Sequence, residues 1–374
     1  MESSVVKPRH PDRPIRVLVV DDSAFLRRTL PGLLETDPGI KVIGTAENGA
    51  EAIRMIKALG PDVVTMDVVM PVMDGLSALK RIMREMPTPV LMLSQTTYEG
   101  ARQTIEALGY GAVDFIPKPS GSVSLDIATI RKTLIEKVKT AYASRHNLRA
   151  RQMEAARPGP EAARWFDVQA LPRPIATEIV AIAASTGGPT ALEKVLAALP
   201  KGFPTGMVIV QHIAQGFSEA LADKLDRSSP LTIKVARHLD PIQPGIGLLA
   251  PSGRQTTVKR IGSSLHVAIS DEPRDLLYKP SADLLFSSVA VACGPAAVGV
   301  IMTGMGNDGA HGIKEIREQN GTTIAQDEAT SLIFGMPRAA IALNAVNVVS
   351  PLERIPYEIM KVISSRGVES LKRE

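Results

Sequence analysis

The first 150 residues alternate short apolar runs with stretches whose apolar positions recur at helical spacing. The apolar runs are Arg16–Val20, Lys41–Gly44, Val63–Met66, Val90–Leu93 and Asp114–Ile116. Helical spacing covers Ala24–Leu34, Ala50–Leu59, Leu76–Glu85, Tyr98–Leu108 and Leu125–Leu148. Strands that alternate with helices favour a parallel sheet covered by helices on both faces, and apolar β-branched strands fit such a buried position. We therefore predict a five-stranded parallel α/β domain.

This pattern breaks after the fifth helical stretch and resumes near residue 176. The intervening segment is rich in Arg, Ala, Pro and Gly, as in Arg157-Pro-Gly-Pro160, which is typical of a linker. We divide the chain into an N-terminal tail (1–14), a first domain (15–140), a linker (141–175) and a second domain (176–370).

The second domain repeats the alternation of strand and helix. Predicted strands are Glu178–Ala184, Met207–Val210, Ala297–Ile301 and Thr322–Ala325, and predicted helices are Pro189–Leu199, Ser218–Leu225, Ala282–Ala292 and Gly309–Asn320. Two further runs, Thr257–Ile261 and Leu265–Ile269, flank Gly262-Ser-Ser264 and predict a β-hairpin. We expect a second α/β domain that carries a small antiparallel hairpin.

Composition narrows the class of protein. A chain of 374 residues fits two domains, and 44% hydrophobic with 22% charged residues is ordinary for a globular protein. The net charge is +4, and the clearest basic cluster is Arg145–Arg151. Aromatic residues make up only 3% of the chain, which offers no platform on which bases could stack. We therefore expect no nucleic-acid binding. We predict a cytoplasmic protein from three features of the sequence. The single Cys293 cannot form an intramolecular disulfide, no apolar run is long enough to span a membrane, and the polar N-terminus lacks the apolar core of a signal peptide.

Acidic residues follow two strands of the first domain. Asp21 and Asp22 come directly after the first strand, and Asp67 after the third, so all three meet at one edge of the sheet. Clustered carboxylates repel one another unless a cation lies between them, and Mg²⁺ prefers oxygen ligands. Ser94 ends the fourth strand and Lys118 follows the fifth. A single acid there would be an ordinary helix cap, but five polar residues at the ends of four strands favour a phosphoryl-transfer site.

These positions resemble the receiver domain of two-component response regulators. The resemblance rests on Val20-Asp-Asp-Ser23, Asp67-Val-Val-Met-Pro-Val-Met-Asp-Gly75, Ser94 and Lys118-Pro119. It implies a flavodoxin-like fold, Asp67 as the phosphoacceptor, and Mg²⁺ held by Asp21, Asp22, Asp67 and the carbonyl of Val69. It also implies that Ser94 is the switch hydroxyl and Lys118 the partner of the phosphate.

Three residues of the second domain suggest nucleophilic catalysis. Ser185 lies in Ala184-Ser-Thr-Gly-Gly-Pro189, between a strand and a helix whose free N–H groups would favour an oxyanion. His212 ends the next strand, and Asp308 lies in a Gly-rich loop after a later one. Each alone is compatible with a cap or a core residue, but together they predict a Ser-His-Asp triad at one sheet edge.

The second domain resembles the catalytic domain of the chemotaxis protein-glutamate methylesterase family, CheB. The motifs that carry the resemblance are Ala184-Ser-Thr-Gly-Gly-Pro189, Gln211-His212, Leu249-Ala-Pro-Ser252, Lys279-Pro-Ser-Ala-Asp-Leu-Leu-Phe286 and Thr303-Gly-Met-Gly-Asn-Asp-Gly309. It implies a Rossmann-like domain, Met305 N–H in the oxyanion hole, and Thr186 and Gln211 as supporting residues. Ile213 and Gln255 depart from the family pattern, which affects the expected substrate contacts.

The resemblance implies a phosphorylation-activated enzyme of chemotactic adaptation. Its substrate would be methylated chemoreceptors, from which it removes glutamyl methyl esters as methanol, with deamidation of receptor glutamines as a second activity. A chemotaxis histidine kinase would supply the phosphoryl group, and the unphosphorylated receiver would cover the hydrolase. We expect a monomer that meets membranes only through receptors, with no cofactor for hydrolysis. A hydrolase of another ester or amide, and a non-enzymatic binding module, remain alternatives.

Overall fold

The structure is a computed structural model that describes residues 13–95, 97–118, 127–145 and 179–370. The described residues form two compact units, one made of 13–95, 110–118 and 127–145 and the other of 97–109 and 179–370. Most of the predicted tail and linker lies outside the described residues. The domain limits that we drew from the sequence therefore stay a prediction.

A five-stranded parallel sheet forms the centre of the first unit. Its strands are β1 (Ile15–Val20), β2 (Ile40–Ala46), β3 (Val63–Asp67), β4 (Val90–Ser94) and β5 (Asp114–Pro117), in the order β2-β1-β3-β4-β5. The helices between and after these strands are α1 (Ala24–Leu34), α2 (Gly49–Leu59), α3 (Gly75–Glu85), α4 (Tyr98–Gly109) and α5 (Ile127–Ala143). The predicted sheet is confirmed, and its central strands are almost wholly buried.

A seven-stranded parallel sheet forms the centre of the second unit. Its strands are β6 (Ile179–Ala184), β7 (Gly206–Gln211), β8 (Thr232–Val235), β9 (Ile246–Leu249), β12 (Ala297–Ile301), β13 (Thr322–Gln326) and β14 (Val348–Ser350), in the order β14-β13-β12-β6-β7-β9-β8. The helices are α6 (Gly188–Ala197), α7 (Ser218–Ser228), α8 (Ala282–Cys293), α9 (Ala310–Glu318), α10 (Met336–Ala342) and α11 (Ile355–Ser370). The predicted α/β fold is confirmed, although β8, β9, β14, α10 and α11 were not predicted.

The predicted hairpin is a separate two-stranded antiparallel sheet. Strands β10 (Gln255–Ile261) and β11 (Ser264–Ser270) pair from Gln255↔Ser270 to Ile261↔Ser264 across a turn in which Gly262 has φ +60°. Val258 and Val267 bury their side chains in the same hydrophobic core as α8. The N–H of Val258 also donates to the hydroxyl of Ser288 at 2.9 Å, which ties the hairpin to that helix.

The structure also bears on membrane insertion. Over the described ranges, no helix combines the length and the apolarity that crossing a bilayer requires.

Val72 carries backbone strain in the loop that follows β3. Its φ of +67° lies in the left-handed region, where a β-branched side chain clashes with its own backbone. The side chain is 88% exposed, so packing contributes little to offset that strain. Replacement by a residue that tolerates positive φ should therefore stabilise the fold.

We expect Val72→Asn to raise the free energy of unfolding of the first unit by about 1 kcal/mol, because Asn adopts the left-handed region at lower cost. Calorimetric melting of the Mg²⁺-free protein measures the effect. The matched control is Val69→Asn, which removes an exposed valine whose φ is not positive. A melting temperature for Val72→Asn no higher than that of Val69→Asn would contradict the strain argument.

Candidate functional sites

Three carboxylates of the first unit meet at the carboxyl edge of its sheet. One oxygen from each of Asp21, Asp22 and Asp67 lies within 4.8 Å of the other two. Asp21 and Asp67 are buried, whereas Asp22 is exposed. Hard oxygen ligands at this spacing, open to solvent on one side, suit a Mg²⁺ ion that keeps several waters. Three of the four residues that the sequence selected for metal binding, all except Val69, are therefore brought together.

Lys118 pairs with two of these carboxylates. Its Nζ lies 2.9 Å from Oδ2 of Asp21 and 2.6 Å from Oδ2 of Asp67. Burial raises the pKa of Asp67 and the charge of Asp21 raises it further, against the opposing effect of Lys118. Burial alone would lower the pKa of Lys118, but the two carboxylates outweigh it and raise that pKa. An additional cation at this edge would relieve the repulsion that remains around Asp67.

The remaining receiver positions surround the same edge. Ser94, at the end of β4, is fully buried, and its hydroxyl donates to the carbonyl of Gln95 at 3.1 Å. Val69 lies two residues after Asp67 and is 56% exposed. Gly75 begins α3, and a Cβ there would collide with the carbonyl of Asp67. The glycine of the receiver motif is therefore required by the close approach of α3 to the end of β3.

Ser185 directly follows β6, the central strand of the second sheet. Its N–H donates to the carbonyl of Thr303 at 3.0 Å, which joins it to the loop after the neighbouring strand β12. Gly304 belongs to that loop, and a Cβ there would come within 2.7 Å of the Ser185 Cβ. Helix α6 begins at Gly188, one residue before the predicted start, with Gly187 as its left-handed N-cap. The serine is thus held between a tight turn and a glycine.

His212 follows β7, the strand next to β6. Its N–H donates to the carbonyl of Ala184 at 3.0 Å, so its backbone lies beside the residue that precedes Ser185. Nε2 of the imidazole lies 2.8 Å from Oδ2 of Asp308. Nδ1 is buried and has no hydrogen-bond partner within the part of the chain that the structure describes. A neutral ring that donates from Nε2 keeps its lone pair on Nδ1, where it can accept a proton.

Asp308 is buried at the N-terminus of α8. Besides His212, its carboxylate accepts the hydroxyl of Ser281 at 2.9 Å, the N–H of Ala282 at 2.7 Å and the N–H of Asp283 at 3.0 Å. Burial would raise the pKa of Asp308, but its hydrogen bonds with His212 and these backbone N–H groups lower it below the usual value. The positive end of the helix dipole acts in the same direction. Asp308 is therefore a carboxylate at neutral pH.

The supporting residues named from the sequence lie around the serine. Gln211 is buried, and its Nε2 donates to the carbonyls of Ser185 at 2.8 Å and His212 at 2.9 Å. The carbonyl of Thr186 accepts the hydroxyl of Thr303 at 3.0 Å. Met305 follows Gly304 in the loop that also carries Asp308. These contacts fix the backbone on both sides of Ser185.

Three further residues support the triad candidates: Tyr278 and Ser281, whose roles sequence reasoning missed, and Gln255, which it associated with substrate contacts. The Tyr278 ring stacks on the His212 imidazole, with centroids 4.3 Å apart and an interplanar angle of 4°. Ser281 contacts Asp308, as described above, and Gln255 bridges Tyr278 and Ser281. Gln255 is 1% exposed, so it supports the site from beneath instead of touching substrate. Only Ser281 had a local signal, since a serine followed by Ala-Asp before an apolar run is a common N-cap.

Comparisons with known proteins find two families along the chain. Residues 180–359 match the CheB methylesterase family, and residues 17–129 match the response regulator receiver domain. A protein-glutamate methylesterase/protein-glutamine glutaminase of Geobacillus kaustophilus is 44% identical over 357 residues, which covers 94% of this chain and 99% of the relative.

Two further relatives match at similar levels. Protein-glutamate methylesterase/protein-glutamine glutaminase 1 of Oleidesulfovibrio alaskensis is 42% identical, with 93% of this chain and 99% of the relative covered. A protein-glutamate methylesterase/protein-glutamine glutaminase of Pyrococcus abyssi is 43% identical, with 96% of this chain and 97% of the relative covered. Identity of this extent over both units means that the chain belongs to the CheB methylesterase family, in the form that carries a response regulator receiver domain.

Proposed function

We propose that this protein hydrolyses glutamyl methyl esters on chemoreceptors, releases methanol, and is controlled by phosphorylation of Asp67. The observation that supports a hydrolase best is the contact of His212 Nε2 with Asp308 Oδ2 at 2.8 Å. It leaves Nδ1 without a hydrogen-bond partner among the described residues, and His212 follows the strand next to the one that Ser185 follows. The names of the relatives support the substrate, since each is a protein-glutamate methylesterase/protein-glutamine glutaminase.

The reaction proceeds by acyl transfer through Ser185. His212 Nδ1 takes the hydroxyl proton as Ser185 Oγ attacks the ester carbonyl, and the imidazolium then gives that proton to the departing methanol. Water attacks the resulting acyl-enzyme with His212 again as base, which regenerates the serine and frees the glutamate. Asp308 keeps the imidazole in the required tautomer and stabilises the imidazolium, and it never needs to accept the proton itself.

The oxyanion would be stabilised by backbone N–H groups near the serine. By its place in the loop after Gly304, Met305 is our candidate donor, and Thr186 and Gln211 keep the serine turn rigid. Fixed donors that face a developing charge are worth several kcal/mol because they need not reorganise during the reaction. The same site would deamidate receptor glutamines more slowly, since an amide has a poorer leaving group than an ester.

The receiver site would control the hydrolase through the charge on Asp67. Asp21, Asp22, Asp67 and the carbonyl of Val69 would hold Mg²⁺, which would neutralise charge on the incoming phosphoryl group. Phosphorylation adds about 1.5 to 2 negative charges. The phosphoryl group would pair with Lys118 and accept a hydrogen bond from the Ser94 hydroxyl. We infer a chemotaxis histidine kinase as donor and a cytoplasmic monomer that reaches membranes only through its receptors.

We expect Ser185→Ala to abolish methanol release from methylated chemoreceptor membranes, because the acyl-enzyme cannot form. Ser263→Ala, which removes an exposed serine from the hairpin turn, is the matched control and should retain full activity. Residual release above about a thousandth of the wild-type rate would contradict a serine nucleophile. Absence of release from the wild-type protein would instead favour another ester or a binding role.

We expect Asp308→Asn to lower kcat by roughly 10² to 10⁴-fold, because an amide NH₂ facing Nε2 favours the tautomer with the proton on Nδ1. Initial rates of methanol release measure this. Asp226→Asn is the control. Asp226 is exposed, and its Oδ1 accepts the N–H of Ile233, a hydrogen bond that the amide oxygen of asparagine can also accept. A rate for Asp308→Asn within threefold of wild type would remove Asp308 from the mechanism.

We expect acetyl phosphate with Mg²⁺ to raise methanol release by the wild-type protein and to have no effect on Asp67→Asn. Chelation of Mg²⁺ should abolish the rise and leave the basal rate unchanged, because hydrolysis uses no metal. Asp114→Asn is the control, since Asp114 begins β5 at the opposite edge of the sheet from Asp67. Equal stimulation of Asp67→Asn would show that control does not depend on this residue.

A further inference from the structure

The hydrogen bond between His212 and Asp308 restrains only one edge of the imidazole. A ring held at Nε2 alone can tilt about that contact, and tilting moves Nδ1, the atom on which proton transfer depends. Catalytic groups must stay within a few tenths of an ångström of their productive positions, and a 1 Å misplacement can cost about 10²-fold in rate. A second contact is therefore needed to fix the plane of the ring.

Tyr278 supplies such a contact. Its ring lies 4.3 Å from the His212 ring, measured between centroids, and the two planes are only 4° from parallel. We propose that Tyr278 is a positioning residue that fixes the plane of the His212 imidazole and so keeps Nδ1 directed at Ser185. The inference deepens the proposed function and rests on it for its catalytic consequence.

Tyr278 is held in place through its backbone by the same network that holds Asp308. Gln255 Nε2 donates to the Tyr278 carbonyl at 3.0 Å, and Gln255 Oε1 accepts the N–H of Ser281 at 2.9 Å. The Ser281 hydroxyl donates to Asp308 Oδ1 at 2.9 Å. The contacts therefore form a closed circuit that runs from the imidazole through Tyr278, Gln255, Ser281 and Asp308 back to the imidazole.

The surroundings of Tyr278 favour this role over simple core packing. The ring is only half-buried, and the two residues before it are exposed, with Leu277 at 82% and Leu276 at 38%. Gln255, in contrast, is 1% exposed and pairs both polar atoms of its amide within the circuit. The loop is therefore anchored by polar backbone contacts next to the imidazole.

Stacking also suits both protonation states of His212. Offset-stacked aromatic rings attract one another when both are neutral, and the electron-rich face of tyrosine attracts a cation placed above it. When the imidazole takes the serine proton it becomes such a cation, so the contact persists through the step. Aspartate and tyrosine thus restrain the same ring from its edge and from its face.

The test compares Tyr278→Leu, which removes the flat ring, with Tyr278→Phe, which keeps it. Tyr357→Leu is the matched control, because Tyr357 is another half-buried tyrosine of the second unit. The first readout is the NMR chemical shift of the His212 ring protons, assigned by their loss in His212→Gln. A ring stacked at 4.3 Å should shift these signals upfield in wild type and Tyr278→Phe, and the shift should disappear in Tyr278→Leu.

The second readout is methanol release from methylated receptors. We expect Tyr278→Leu to lower kcat by about tenfold or more with KM within twofold, Tyr278→Phe to stay within threefold of wild type, and Tyr357→Leu to be unchanged. Unaltered His212 shifts in Tyr278→Leu, or a loss of kcat in Tyr278→Phe equal to that in Tyr278→Leu, would overturn the proposal. The shifts need no substrate, so a wild-type protein inactive on receptors would refute the proposed function without obscuring the stacking result.

Discussion

The Asp308 carboxylate accepts hydrogen bonds from four donors, and the geometry of the second unit's site depends on it. One donor is the His212 imidazole after β7, and the others are the Ser281 hydroxyl and two N–H groups at the start of α8. Hydrogen bonds to a buried charge are worth about 1.5 to 3 kcal/mol each, and an unpaired buried carboxylate would be costly. The carboxylate therefore fixes the end of β7, the start of α8 and its own loop relative to one another.

Asp67 ends the buried strand β3, and Asp308 lies in the loop after the buried strand β12, yet their pKa values shift in opposite directions. Burial would raise the pKa of Asp308, but its hydrogen bonds with His212 and with backbone N–H groups outweigh that effect and lower it. Burial and the charge of Asp21 raise the pKa of Asp67, and the pairing with Lys118 offsets them only in part. The contrast fits the roles proposed above, with Asp308 as a permanent charge and Asp67 as a carboxylate that a nearby cation would favour.

Long apolar strands and strand-end residues were predictable from sequence, because burial on both faces leaves a continuous apolar run and parallel strands end at one edge. β1, predicted as Arg16–Val20, spans Ile15–Val20. Edge strands were missed since they are short and partly exposed, as in β8, where exposed and buried positions alternate. Tyr278 and Gln255 carry no local signal, because their contacts join segments that are distant in sequence. The closeness of His212 and Asp308 could be predicted from their positions after two strands of one sheet. The sequence could not show that Nε2 is the ring nitrogen that contacts Asp308.

The proposed mechanism depends on Asp308 leaving the lone pair of the His212 imidazole on Nδ1, so the tautomer of His212 is the measurement to make first. Two-bond ¹⁵N–¹H correlation spectra of the neutral ring distinguish a protonated nitrogen from an unprotonated one. We expect His212 to carry its proton on Nε2 in the wild-type protein, with Nδ1 unprotonated. A proton found on Nδ1 would rule out the mechanism, because that nitrogen could not then act as the base for Ser185.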